Sequence, residues 1–208
     1  MRVTKMNNDF KQPTVTPGMT RLYVRVPLDR VGVLIGEKGS VLRELEKRMN
    51  VRVVVDGRDG TVVVEPLSPA TPVYNMLKTR DFIRAIAAGF SPERAWRLLE
   101  EDQILVLIDL KEVIGDSPNH LMRIKGRIIG EGGKARKNIE SMTGTYINVY
   151  DDIVAIIGDY ESAQVAREAI EMLIQGRQHS TVYKYLDKVM REVKRRKMSN
   201  LWLKEFKP

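Results

Sequence analysis

At 208 residues, 43% of them hydrophobic and none a cysteine, the chain has enough apolar surface for one large core or two small ones; a disulfide framework, a thiolate zinc site and a thiol nucleophile are excluded. No stretch approaches the roughly 18 apolar residues of a membrane span, and a cysteine-free composition fits a reducing compartment, so the expected location is cytoplasmic. The net charge of +8 is concentrated at one end: Arg177–Pro208 carries ten Lys/Arg against three Asp/Glu, a net +7, which leaves +1 for everything before it.

Residues 1–18 contain no apolar run and are expected to form a flexible arm. A first unit is expected over residues 19–90. RLYVRV (Arg21–Val26) alternates by two like a half-buried strand, and a short helix leads into Gly36-Glu37-Lys38-Gly39. A helix over Ser40–Met49 follows, then strands VRVVV (Val51–Val55) and TVVVE (Thr61–Glu65), and a helix over roughly Pro72–Ala88 stopped by Gly89. Ser91-Pro92 reads as an N-cap with proline in the first turn, predicting a linking helix within residues 91–102. A second unit, expected over residues 103–176, repeats the order. ILVLIDL (Ile104–Leu110) is a continuous apolar strand, a helix leads into Gly130-Glu131-Gly132-Gly133, and Lys134–Met142 forms the next helix, capped at Gly144. YINVY (Tyr146–Tyr150) and IVAII (Ile153–Ile157) form a hairpin, and a helix over about Glu161–Gln175 closes the unit. Residues 177–208 are expected to supply a basic helix over about Ser180–Lys197, with Val182, Leu186, Val189 and Val193 as its apolar stripe, and a tail bearing Leu201, Trp202 and Leu203.

The two units are one plan written twice. The glycine motifs lie 94 residues apart, too long for a solenoid repeat and suited to tandem domains. Their flanks align: Val33-Leu34-Ile35 with Arg127-Ile128-Ile129, Leu42 and Leu45 with Arg136 and Ile139, and VRVVV with YINVY. A helix–glycine loop–helix junction leaves backbone N–H groups unpaired at the start of the second helix, where the macrodipole adds positive charge and phosphate is the natural guest. Glycine lets a phosphodiester approach without meeting Cβ atoms.

The order I-G-x-x-G, helix, strand, strand, helix, present twice, resembles the KH family of single-stranded nucleic-acid binders, in which this loop clamps about four nucleotides. The resemblance implies an α+β fold of two tandem KH type I domains (βααββα), each a three-stranded antiparallel sheet packed by helices, plus the extra C-terminal helix. Carried onto this chain, it assigns backbone-gripping roles to Gly36, Glu37, Lys38 and Gly39, and to Gly130, Glu131, Gly132 and Gly133, with Lys125, Arg127, Lys134 and Arg136 beside the second loop. Ile35 with Leu42, and Ile129 with Ile147, become apolar floors under the bases. Arg136 departs from the pattern, which expects an aliphatic residue there. On the basic helix Lys184, Lys188, Arg191, Lys194 and Arg195 are further candidate contacts.

Gly126–Lys188 is more specific. G-x-G-G-K, I-E-x-x-T, a strand pair with almost no loop, and M-L-I-x-G-x-x-H-S-x-V-Y (Met172–Tyr183) resemble the small-subunit rRNA-processing KH proteins of the partner-of-Nob, or Dim-two, family, in the compact form expected of an archaeal member. That resemblance implies a ribosome-assembly factor without catalytic activity or cofactor, binding near the 3′ end of small-subunit rRNA beside the Nob-type endonuclease and the Dim-type rRNA dimethyltransferase. Two alternatives stay open: a KH protein of the Krr type, and a KH scaffold whose main role is docking other proteins. An enzyme is disfavoured, because His120 and His179 sit in no metal-ligand spacing and Asp151-Asp152 reads as a turn.

Overall fold

The computed structural model describes residues 21–205, with side chains through 199; the expected arm lies outside the described residues. The first unit runs β1 (Leu22–Arg25), α1 (Leu28–Ile35), α2 (Ser40–Met49), β2 (Val51–Val55), β3 (Thr61–Pro66) and α3 (Val73–Ala87). After α4 (Pro92–Ala95) and a 3₁₀ turn (Trp96–Leu99), the second runs β4 (Gln103–Asp109), α5 (Leu110–Ile114), α6 (Pro118–Ile129), α7 (Lys134–Thr143), β5 (Tyr146–Tyr150), β6 (Ile153–Asp159) and α8 (Tyr160–Ile174), followed by α9 (His179–Glu205). Each unit holds a three-stranded antiparallel sheet with its last strand in the middle, ordered β1-β3-β2 and β4-β6-β5. The α+β plan of two βααββα units with an added helix is therefore observed. No helix among the described residues is long and apolar enough to cross a membrane.

Three elements differ from expectation. The linking helix is only α4 plus a 3₁₀ turn, because the chain is drawn tightly inward: Leu98 is buried, and the Trp96 ring lies 4.5 Å from that of Phe82. The short α5 was not anticipated; the Asp109 side chain starts it by accepting from the amides of Lys111 and Glu112. α9 continues to Glu205, so Leu201-Trp202-Leu203 is helix rather than tail, with side chains outside the described residues.

The repeat also pairs differently from the expected alignment. Glu46 accepts the amide of Val53 at 2.8 Å, and Glu140 accepts that of Ile147 at 2.7 Å, so Val53 corresponds to Ile147 at the same 94-residue spacing. VRVVV therefore matches TYINV, one residue earlier than expected, and a one-residue slip exchanges every inward side chain for an outward one. The paired burials agree: Val51 with Thr145 and Val53 with Ile147 are all buried.

The second sheet is buried on both faces. Along β6, Val154 and Ile156 enter the core built by α6–α9, while Ala155 and Ile157 enter the core of the first unit with Phe82, Ile83 and Ile86. β4 splits in the same way, Ile104, Val106 and Ile108 to one side, Leu105 and Leu107 to the other. That is why β4 and β6 read as continuous apolar runs and β1 as an alternating one. Polar clamps ring the junction. Asn148 Nδ2 donates to Ala88 O at 2.9 Å, Arg97 Nη1 to Gly144 O at 2.8 Å, and Tyr150 Oη to Asp29. Arg94 pairs with Glu140 at 3.3 Å and lies over the Tyr146 ring. Gly89 must be glycine: with φ +88°, its Cβ would fall 2.6 Å from Tyr150 Cβ.

The buried Lys78 of α3 ties the linker down, its ammonium donating to the carbonyls of Glu100 and Gln103, each at 2.7 Å. Burial lowers the Lys78 pKa below its ordinary value. The unfolded chain then holds the proton to higher pH than the folded one, so this residue makes stability rise with pH between its folded and unfolded pKa values. Lys78→Met should lose about 2 kcal/mol in urea denaturation, because charged donors are taken from buried carbonyls, and should flatten that alkaline rise.

Candidate nucleic-acid interface

The two glycine loops have one backbone conformation. Gly36 (φ 73°, ψ 175°) matches Gly130 (71°, 172°), Lys38 (51°, 27°) matches Gly132 (57°, 21°), and Gly39 (79°, 19°) matches Gly133 (79°, 12°). The first, third and fourth positions of each loop are thus left-handed, which favours glycine at all three; Lys38 is the one that bears a side chain.

The glycines do different jobs. A Cβ on Gly36 would meet Val41 Cγ2 at 2.4 Å, and one on Gly130 would meet Ala135 Cβ at 2.6 Å. The leading glycine of each loop therefore lets the two helices of its unit close on each other, which corrects the expectation that it opens the way to a ligand. Gly132 and Gly133 face open space, and Gly39 has only the end of the Arg43 side chain near it. These are the glycines that leave room for an approaching group. α2 and α7 begin directly behind them, each without a side-chain cap or an acidic residue in its first turn; the Ser40 and Lys134 amides donate to Glu37 O and Glu131 O, and no side chain occupies the amides that follow.

The last helix of each unit, α3 and α8, is capped by an arginine from the helix before its loop. Arg30 donates to Ile86 O at 3.0 Å and to Phe90 O; Arg127 donates to Leu173 O at 3.1 Å and to Arg177 O. A cation at a helix C-terminus answers both the dipole and the orphan carbonyls. Ile35, Val41 and Leu42, flanking the first loop, are half-buried on the first core, as is Val55 of β2; Ile129, flanking the second loop, is half-buried, and Val149 of β5 packs partly against the second core.

A family model described as the eukaryotic-type KH domain (KH domain type I) matches residues 104–191, and a KH-domain model matches residues 21–67. A KH domain-containing protein of Methanocaldococcus jannaschii is 41% identical over 182 residues, 88% of this chain and 79% of that protein. The pre-rRNA-processing protein PNO1 of Yarrowia lipolytica is 30% identical over 183 residues, 88% of this chain and 70% of that one. The structure of an a/eIF2alpha–aDim2p–rRNA complex from Pyrococcus horikoshii aligns with a TM-score of 0.78 at 40% identity, covering 84% of this chain and 96% of the matched one. The chain belongs to the PNO1/Dim2 family of tandem KH proteins.

In this PNO1/Dim2 chain the predicted site residues fall into three groups. The loops bring together Gly36–Gly39 with exposed Glu37 and Lys38, and Gly130–Gly133 with exposed Glu131 and Lys134. Three residues are placed elsewhere. Ile147 is 0% exposed in the second core, because its inward position on β5 is fixed by the Glu140 bond, so it floors no groove. Arg127 has its guanidinium engaged by the carbonyls at the end of α8. Lys125 is 2.9 Å from Asp152, whose carboxyl it and Lys111 hold below the usual carboxylate range. The third group is the exposed face of α9: Lys184, Lys188, Arg191, Lys194 and Arg195 all face outward, Arg191 pairing with Asp187, while Val182, Leu186, Met190 and Val193 are buried beneath.

Arg136 stands where the first unit has Leu42. Its Nε is buried without a hydrogen-bond partner among the described residues, a costly state for a charged group that a ligand acceptor relieves. Arg43, whose side chain reaches over Gly39, was missed; the signal was a basic residue four positions after the loop. Val55 and Val149, two residues beyond the buried Val53 and Ile147 on β2 and β5, were not singled out from the sequence.

The division of labour among the glycines is testable by urea denaturation. Gly130→Ala should cost about 3 kcal/mol through left-handed strain and overpacking. Gly132→Lys, which copies the backbone angles already adopted by Lys38, should stay within about 1 kcal/mol of the parent protein.

Proposed function

We propose that this chain is an assembly factor of the small ribosomal subunit that holds single-stranded rRNA in both KH grooves. The observation that carries the reading is the matched pair of loops: two uncapped helix N-termini, open glycines in front of them and half-buried apolar side chains alongside. Phosphates sit on the amides of α2 and α7, and bases lie over Ile35, Leu42 and Val55 in one groove and over Ile129 and Val149 in the other. Lys38, Arg43, Lys134 and Arg136 supply positive charge, with Arg136 donating its unpaired Nε to a phosphate or base acceptor. The exposed cations of α9 extend the electrostatic footprint.

The name of the Yarrowia relative, a pre-rRNA-processing protein, and the presence of rRNA in the Pyrococcus complex support rRNA as the ligand. The family resemblance supplies the finer reading: the 3′ end of small-subunit rRNA as the site, with the Nob-type endonuclease and the Dim-type dimethyltransferase as partners. With both grooves filled, the footprint is about eight nucleotides.

The test is fluorescence anisotropy with a strand matching that 3′ end and a scrambled strand, across a salt series. The parent protein should prefer the native strand, with a log–log salt slope of about −0.7 for each phosphate engaged. Glu37→Asp/Lys38→Asp and Glu131→Asp/Gly132→Asp place two acids in each loop, and each should weaken binding at least about tenfold if both grooves are occupied. Two folded loop variants that bind like the parent would refute the reading.

A further inference from the structure

Away from both loops, a cleft of about 470 Å³ lies where β1 and α3 of the first unit meet the second sheet, a volume within the roughly 300–1,000 Å³ of small-ligand sites. Tyr23 and Arg25 of β1 and Arg80 and Arg84 of α3 line it, along with Leu107 and Ile153 of the second sheet. Tyr23 is 65% exposed, so its ring face is available. Arg80 is held by Asp81 at 2.8 Å, whereas Arg25 and Arg84, both exposed, enter no ion pair among the described residues. The cleft therefore joins an apolar floor, a free aromatic ring and two uncommitted guanidinium groups. An aromatic ring and guanidinium planes stack on nucleobases, and guanidinium forks match phosphate oxygens.

We propose that this cleft seats one unpaired nucleotide of the bound RNA: its base stacks on Tyr23 above Leu107 and Ile153, and its phosphates meet Arg25 and Arg84. The proposal rests on the chain being an RNA binder, but it uses none of the loop residues. It makes the junction between the two units a contact point in its own right, so RNA bound there reads the units in their docked arrangement.

Amide NMR of the full chain with AMP, GMP, CMP, UMP and inorganic phosphate separates the possibilities. Nucleotides should shift the signals of Tyr23, Arg25 and Arg84, with phosphate about tenfold weaker; Tyr23→Ala, a change at an exposed side chain, should remove the difference. Arg25→Glu/Arg84→Glu should weaken binding of a strand of about 20 nucleotides roughly tenfold and lower its salt slope by about 1.4, while leaving an eight-nucleotide strand that fills only the two grooves unaffected. Phosphate binding as well as the nucleotides, or equal effects on long and short strands, would each overturn the proposal. If free nucleotides bind but the long strand is indifferent to the variants, the cleft is a free-nucleotide site and the proposal also fails. Loss of RNA binding in the loop variants, scored on the short strand, reports on the KH reading independently. Should the double variant not fold, Tyr23→Ala measured on the long strand decides the matter.

Discussion

The second sheet has two apolar faces, and the arrangement of the molecule follows from burying both. A lone KH unit covers one face of its sheet with its own helices and leaves the other to water. Here Ala155, Ile157, Leu105 and Leu107 give that other face to the first unit's core. Tandem domains connected only by a linker would be free to reorient. This pair shares a continuous apolar core, ringed by Asn148, Arg97, Tyr150 and the Arg94–Glu140 pair. The loops inherit their mutual position from that junction, because α1 and α3, which anchor the first loop, are themselves part of it.

Within each unit the same economy holds. The leading glycine is needed for helix-to-helix contact, the trailing one for an open left-handed turn ahead of an uncapped helix. A loop built this way closes two helices and leaves an open turn with adjacent residues, so its geometry is set before any ligand arrives. Pre-organisation reduces the ordering cost of binding. Arg136 breaks the symmetry of the pair: the second groove exchanges the aliphatic Leu42 for a guanidinium whose Nε the protein leaves unpartnered, and the two grooves therefore present different chemistry to a strand.

Much of this was legible in the chain. The glycine spacing, the apolar periods and the turn residues placed the strands, the principal helices and both loops, since each is decided by local pattern. What escaped depends on contacts distant in sequence. The one-residue register of β5 is set by Glu140 reaching the Ile147 amide, and no periodicity encodes that bond. Arg127 looked like a free cation beside a loop, but the end of α8 claims it. The two-faced burial of β4 and β6 was present as unbroken apolar runs, yet its partner, the α3 face of the other unit, only the fold identifies. Lys78, a charged residue in a helix, gave no sign of being a buried clamp.

The central claim is that the two glycine loops are held on one rigid body. The absence of cysteine allows spin labels at Lys47→Cys and Ser141→Cys, exposed and equivalent positions on α2 and α7, and their separation can be measured by pulsed electron paramagnetic resonance with and without RNA. The account predicts one narrow distance distribution that RNA leaves in place. A broad distribution in the free protein, or one that shifts when RNA binds, would contradict it.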